Sequence, residues 1–470
     1  MLPYVWQSIT GVCFLLSLKA AFYTLGCKVN YYDTAALKEE FRREGFEIVD
    51  FKEPADVYVV NTCTVTHQAD RKSRQMIRRA KRRHPGALVA VIGCYAQVNP
   101  DDIASLSEAD LLAGTAGRLS LPQQIKKKIA GEDVAAAPVK PYGKKAAFEE
   151  MPFLPEQSRA RAFLKIQDGC NQYCSYCIIP YARGPLRSLP LAKGLQYLQE
   201  ISAAGFKEVV FTGIHLGLYG VDLDPPLNLA AFLQEAAQVP GLARIRLSSI
   251  EPTDCTEELI AVLQSREKIC HHLHIPLQSG DDTILKQMGR PYDTAFYAGL
   301  LKRLRQALPN LAVSTDIMVG FPGEEKTHFQ NSIDFVRECA FSRLHVFRYS
   351  PRPGTKAAAM TPQVSPPAKE QRSQALLSLG EAQAAAFQEK FTGCKLPVLF
   401  ENKLTAADRQ AADRQLKAET KQVAGSYFAG LTSNYLRVHA ALPPGNWRGK
   451  IGTVRMVKSC PGHLLGCLAE

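Results

Sequence analysis

The sequence predicts an α/β chain of three parts: an N-terminal parallel α/β domain, a central partial (β/α)6 barrel and a small antiparallel β-barrel at the C-terminus. Three observations lead there. Short apolar runs alternate with helical patterns from about residue 20 to 130 and again from 162 to 390, as parallel α/β units do. A stretch rich in Ala, Pro and Lys without clear periodicity, about 131–155, separates the two alternations. Beyond 392 the helical period gives way to short β-like runs broken by turn residues.

In chain order, residues 2–18 are apolar and uncharged. They lack the basic start and small-residue cleavage site of a signal peptide and are short for a membrane span. Residues 1–18 are therefore expected to be a non-native or disordered extension, and no other stretch could cross a bilayer. The first domain, 19–145, has strand-like runs at 21–24, 57–61, 87–92 and 109–113, with helical patterns at 32–44, 69–83 and 121–130. In the second, 152–390, strands are expected at 163–167, 208–212, 244–249, 271–275, 313–319 and 343–349. Helical patterns fall between them at 193–204, 229–237, 257–264, 294–306 and 326–339, and a long one follows the Pro-rich 361–367. Six strand-then-helix units make a partial barrel whose strand ends present loops at one face. The third part, 391–460, has β-like runs at 396–401, 435–440 and 450–457. The ADRQ-like tetrapeptides at 406–414 read as an exposed loop or helix without chemistry.

The 470 residues are 46% apolar, enough for a sizeable core, and the formal charge of +12 points to a polyanionic partner, most simply nucleic acid. Thirteen cysteines, odd in number and widely spaced, make a poor disulfide framework and favour a reducing, cytoplasmic location. Cys13, Cys255, Cys270, Cys339, Cys394, Cys460 and Cys467 are expected to be small buried or half-buried hydrophobes.

The chemistry concentrates in one short loop, Cys170-Asn-Gln-Tyr-Cys174-Ser-Tyr-Cys177. Three thiolates in a C-x3-C-x2-C run suit a [4Fe–4S] cube that leaves its fourth iron open. The common zinc patterns use two separated pairs and close all four positions, and no second C-x2-C pair follows. Tyr176 adds an aromatic wall. Cys27, Cys63 and Cys94 each fall just beyond an expected strand of the first domain. Parallel strands end at one edge, so these three can converge there as a shared metal site or stand apart as core cysteines.

From about Ala20 to Val457 the chain resembles the methylthiotransferases of the radical S-adenosylmethionine (SAM) class. The resemblance is carried by LGCKVN (25–30), NTCTVT (61–66), IGCYAQ (92–97), QDGCNQYCSYCIIPYARG (167–184), TGIHLG (212–217), RLSSIEP (246–252), HIPLQSG (274–280) and VGFPGE (319–324). The C-terminal barrel resembles the TRAM domain, an RNA-binding module of this family. By that resemblance Cys170, Cys174 and Cys177 hold a cluster that binds and cleaves SAM. Cys27, Cys63 and Cys94 hold a second [4Fe–4S] cluster that carries or activates sulfur. The phrases around 167–184, 206–217 and 345–355 are most similar to the branch acting on N6-threonylcarbamoyladenosine at tRNA position 37. Alternatives are the same chemistry on isopentenyladenosine-37 or a ribosomal-protein aspartate, and, from another class, a non-catalytic Fe–S protein that binds RNA.

The resemblance implies a physical logic. Adenine C2 carries no acidic hydrogen, so a 5′-deoxyadenosyl radical is needed to attack it, and cofactors carry that step while the protein orients and excludes water. Thr212 and Gly213 would meet the SAM amino group, with Ser249 and Glu251 near the ribose or amino group. Gln278, Asp316, Val319 and Gly320 would neighbour the adenine or methionine. An electron donor such as flavodoxin or ferredoxin is implied; the sulfur donor is not. For RNA, residues 71–83 hold eight basic residues and no acid, with Met76, Ile77 and Ala80 left to face inward. Arg71, Lys72, Arg74, Arg78, Arg79 and Arg82 are candidate phosphate contacts, joined by Arg183, Arg187, Tyr435 and Arg437. After YARG the family tends to have more arginines than the GPLRSLP found here. His215, His271, His272 and His274 invite a metal hypothesis, rejected because structural hydrogen bonding is commoner for such strand-end histidines; His215 could still line the pocket.

Overall fold

In the computed structural model, residues 17–132, 139, 141–143, 146–151, 159–419 and 425–469 are described. Most of the expected extension, with Cys13, lies outside them.

The first unit runs β1 (Lys19–Thr24), α1 (Lys28–Arg43), β2 (Glu47–Val49), β3 (Val57–Thr62), α2 (His67–Arg83), β4 (Leu88–Gly93), α3 (Cys94–Val98), α4 (Pro100–Ala104), β5 (Leu111–Leu112) and α5 (Leu121–Ile129). Its sheet is parallel throughout, in the order β2-β1-β3-β4-β5. Central β3 is buried along its length, as a strand covered on both faces must be, hence its apolar run VYVV. Helix α2 starts where the Thr66 hydroxyl accepts from the Ala69 N–H, and it buries Met76, Ile77 and Ala80 as their spacing requires.

The second unit continues β6 (Ala162–Lys165), β7 (Gln167–Asp168), α6 (Ile179–Arg183), β8 (Arg187–Ser188), α7 (Leu191–Ala203), β9 (Glu208–Thr212), α8 (Leu229–Ala236), β10 (Arg244–Leu247), α9 (Glu257–Ser265) and β11 (His272–His274). It ends with α10 (Asp282–Gln287), α11 (Thr294–Ala307), β12 (Ala312–Val319), α12 (Lys326–Cys339), β13 (Arg343–Arg348) and the long α13 (Pro366–Glu389). Strands β6, β9 and β10 pair in parallel, as do β11, β12 and β13, and the bridges Ile245–Ile269 and Ser249–His274 join the halves. The result is an open six-stranded parallel barrel. Asn228, Thr256, Asp281, Asp293 and Ser365 cap α8, α9, α10, α11 and α13 with side-chain oxygens, so each helix starts cleanly after its loop.

Alternation along these strands sorts the two faces. Leu164, Val209, Phe211, Ile245, Leu247, Leu273, Val313 and Ile317 pack outward against the helices in the main core. The alternate positions, Lys165, Glu208, Thr212, Arg244, Arg246, His272, Ser314 and Asp316, face inward and are polar, which marks a working interior rather than a packed one.

The third unit is a closed barrel of β14 (Lys395–Lys403), β15 (Ser426–Thr432), β16 (Arg437–Leu442), β17 (Ile451–Cys460) and β18 (His463–Leu468), with helix α14 (Ala406–Glu419) against it. Four of its five strand pairings are antiparallel, as expected, and β16 and β18 pair in parallel. The ADRQ segment is helical and buries Ala412. Arg244 and Arg246 of β10 donate to the carbonyls of Leu431, Pro397, Ser433 and Thr432, clamping this barrel to the sheet. Cys255, Cys270, Cys339, Cys460 and Cys467 are buried free thiols, whereas Cys394, expected to be buried or half-buried, is exposed because it follows the end of α13 in a turn.

Candidate active site

The loop after β7 bends Cys170, Cys174 and Cys177 to the rim of the open barrel, and all three are free thiols. The Cys177 N–H donates to the Cys174 carbonyl, and the Cys170 N–H to Gly184. The sulfurs of Cys170 and Cys174 meet side-chain or backbone donors. Arg290 Nη1 lies 3.2 Å from Cys174 Sγ, His215 Nδ1 3.5 Å from Cys170 Sγ, and the Gln172 N–H donates to Cys170 Sγ at 3.4 Å. Burial pushes Cys177 up to about 12, and the two neighbouring thiols add to it. For His215, burial works downward, but hydrogen bonds to Asp254 and Cys170 overcome it and hold the ring at about 9.

Sheet order assembles the second triad. Strand β3 lies between β1 and β4, with Thr24 opposite Asn61 and Thr62 opposite Gly93. Cys27, Cys63 and Cys94 therefore leave three adjacent strands at the same edge. A Cβ on Gly26 (φ +99°) would sit 2.9 Å from Cys63 Cβ, and one on Gly93 (φ +97°) 2.3 Å from Asn61 Oδ1. Both turns thus need glycine to bring the thiols together. Burial pushes Cys63 up to about 12, with Cys94 and Cys27 adding charge repulsion. Cys27 is exposed, leaving that side of the triad open.

A buried ionic network joins the triads. Asp33 pairs with Arg118 at 2.7 Å and accepts from Lys165 at 2.8 Å and Arg183 at 2.9 Å; Asp168, two residues before Cys170, pairs with Lys165, Arg183 and Arg187. The other arm of Arg183 donates to Asn30 Oδ1, which in turn lies 3.9 Å from Cys94 Sγ. Burial works to raise Asp33, but Arg118, Lys165 and Arg183 hold it far below the carboxylate range.

The donor sets fit two [4Fe–4S] clusters. Each supplies three thiols, and arginines stand by to balance the charge of a thiolate-held cube. Among the described residues, three ligand atoms come within 4.8 Å of one another only at His274, Asp316 and His345, so neither triad is drawn to single-ion spacing. That histidine group reads as a hydrogen-bond chain. His272 Nδ1 is buried without a partner, so its proton belongs on Nε2, 3.1 Å from Ser314 Oγ. The Ser314 hydroxyl can then donate to His274 Nδ1 at 2.9 Å, leaving His274 Nε2–H to donate to Asp316 at 3.2 Å.

The expected SAM neighbours gather on the same rim. Thr212 ends β9, with Gly213 beside it; Ser249 bridges to His274; Gln278, at φ +69°, bridges to Ile317. Glu251 is held by Arg290. Tyr176 packs beside Ile284, Met288 and Phe321. Ser248 Oγ is buried with no hydrogen-bond partner among the described residues, a polar atom suited to a ligand. Val319 has its side chain in the helix-packed core, and Gly320 lies against the Lys369 side chain.

The RNA candidates separate. Arg71, Lys72, Arg79 and Arg82 are exposed on α2, while Arg74 donates to Tyr95 and Arg78 pairs with Glu108 at 3.7 Å. Arg183 and Arg187 are buried, contrary to the expectation of an RNA surface, because Asp33 and Asp168 claim their charge. Tyr435 is half-buried and stacks on His272 at 4.5 Å, leaving Arg437 as the exposed member of that pair. Sequence reasoning missed Gln167, whose Oε1 accepts from the Ile214 and His215 N–H groups and whose Nε2 donates to Asp168 and Gly169. It also missed Arg290, with no local signal to mark it.

Residues 19–114 match the uncharacterized protein family UPF0004, and residues 164–336 match the radical SAM superfamily. The chain is 41% identical over 440 residues to the threonylcarbamoyladenosine tRNA methylthiotransferase MtaB of Bacillus subtilis, covering 93% of this chain and 94% of that protein. It is 40% identical over 397 residues to the MtaB of Aquifex aeolicus, covering 82% and 94%. In fold it is similar to the radical SAM methyltransferase TsrM of Kitasatospora setae, at 16% identity and a TM-score of 0.54 over 73% of this chain and 77% of that one. No described helix is long and apolar enough to cross a membrane. With both halves matched and the relatives covered nearly end to end, the chain belongs to the radical SAM methylthiotransferase family that includes MtaB.

Proposed function

We propose that this protein converts N6-threonylcarbamoyladenosine-37 of tRNA to its 2-methylthio derivative, working in the cytoplasm with an electron donor of the flavodoxin or ferredoxin type. The observation that carries the reading is the meeting of two separate thiol triads across Arg183, on a chain 41% identical to an MtaB. Cys170, Cys174 and Cys177 hold the SAM-binding cluster; Cys27, Cys63 and Cys94 hold the second. When bound, these groups and SAM supply the one-electron and sulfur chemistry that replaces the C2 hydrogen. The chain's own residues do the rest. Arg290 and His215 neutralise thiolate charge, Gln167 fixes the cysteine loop against the 212–217 loop, and Thr212, Gly213, Ser249, Glu251, Gln278 and Asp316 line the SAM rim.

The three parts work as units of 19–145, 152–390 and 391–460. RNA phosphates meet Arg71, Lys72, Arg79 and Arg82 on α2 and Arg437 on the small barrel; Arg74 and Arg78 contribute less, being engaged already. Nucleoside analysis of tRNA from a deletion strain tests the reading: 2-methylthio-N6-threonylcarbamoyladenosine should vanish. Loss of the isopentenyl-derived nucleoside instead would overturn it, as would an intact-cluster enzyme that forms no 5′-deoxyadenosine from SAM.

A further inference from the structure

Lys28 follows Cys27 in the chain and begins α1. It has no hydrogen bond or ion pair among the described residues. By surface area its side chain is exposed, yet protein surrounds it on most sides, so it projects into a recess and not onto open surface. The recess has a cationic wall. Arg161 and Arg246 lie 5.8 and 4.7 Å from the Tyr435 ring centroid. Arg161 pairs with Glu401 at 2.9 Å and approaches Glu208 at 3.8 Å; Arg244 and Arg246 reach the same Glu208 at 3.6 and 2.8 Å. Two carboxylates thus face three guanidiniums before Lys28 is added. Lys28 shares the recess with the like charges of Arg161 and Arg246 and with the Tyr435 side chain. Burial would raise the Tyr435 phenol, but Arg161, Lys28 and Arg246 bring it below its ordinary value. An arriving anion relieves that mutual repulsion.

We propose that Lys28, backed by Arg161 and the Tyr435 hydroxyl, is the subsite that receives the carboxylate of the threonylcarbamoyl group. The inference rests on the substrate reading above and names how that substrate is chosen. In adenine, C2 and C6 flank N1, so an N6 substituent folded over N1 carries its carboxylate toward the C2 side. A base presenting C2 to the second triad brings that carboxylate to the residue beside Cys27. An isopentenyl group offers no charge there.

The same cations would accept an RNA phosphate, so the test separates the two sources. Anaerobic holoenzyme is titrated with tRNA anticodon stem-loops bearing either N6-threonylcarbamoyladenosine or plain adenosine at position 37. The wild type should favour the modified loop, and Lys28→Met should reduce that preference by roughly tenfold while binding the plain loop unchanged. Lys28→Arg should keep most of the preference. Tyr435→Phe, farther from Cys27, should weaken it in the same sense if Lys28→Met fails to hold two clusters by iron analysis. Equal weakening toward both loops would assign the subsite to phosphate and overturn the proposal. So would an unchanged preference in Lys28→Met. If the wild type methylthiolates the modified tRNA in either case, the substrate reading survives; if it does not, that reading falls separately.

Discussion

Cys170, Cys174 and Cys177 come from one loop, while Cys27, Cys63 and Cys94 come from the ends of three strands. Their supports differ accordingly. The loop triad is braced by side chains arriving from elsewhere in the barrel, Arg290, His215 and Gln167, and its own spacing is set by local backbone. The strand-end triad has its spacing set by sheet register and two positive-φ glycines, so anything that shifts β1, β3 or β4 moves a thiol. A local motif tolerates distant disturbance; a dispersed one reports on the whole domain.

Substituting the cysteines should separate the two triads most sharply. Cys174→Ala should abolish 5′-deoxyadenosine formation, whereas Cys63→Ala should spare it and lower iron from about eight to about four atoms per chain, read by iron analysis and product chromatography. Next comes the shared network. Asp33→Ala leaves Arg118, Lys165 and Arg183 buried with less counter-charge and should cost roughly 3–5 kcal/mol in denaturant unfolding, with both clusters becoming labile. Gly93→Ala should cost about 1–3 kcal/mol and loosen the strand-end cluster alone, since its Cβ would meet Asn61 Oδ1 and Thr62 backbone. Gly45→Ala, at φ +81° with nothing within 4 Å, is the control for backbone strain without a clash.

The smallest effect lies far from either triad. His439 stacks on His463 at 4.0 Å, and burial with that neighbour's charge lowers His439 to about 4. Its folded value lies below the unfolded one, so its contribution is whole above the ordinary histidine value of about 6.5 and is lost as pH falls toward 4. Unfolding free energies of the small barrel from urea titrations at pH 7 and pH 5 should differ by on the order of 1 kcal/mol, and His439→Phe should flatten that difference. A flat wild-type profile would refute the assignment.

The contrast between triads also explains what was legible in the sequence. The C-x3-C-x2-C loop announces itself because all its ligands share one short stretch. The strand-end triad was legible only through topology, since Gly-Cys and Thr-Cys pairs after apolar runs mean little until the runs are strands of one parallel sheet. Strands β2 and β7 were missed because each is too short for its alternation to stand out, and β15 and β18 because glycines interrupt their patterns. Arg183 and Arg187 were misplaced at the surface for a different reason. Asp33, which claims Arg183, belongs to another domain, and Asp168 is drawn to both arginines only once the loop has folded. Charge in sequence says nothing of its partner.

Arg244 and Arg246 grip four backbone carbonyls of the small barrel, and Tyr435 is wedged between that barrel and His272. The small barrel is therefore no tethered hook searching on a leash. Anything that rests on it meets a frame already surveyed against the thiols, with a set gap between two rigid parts as in a caliper.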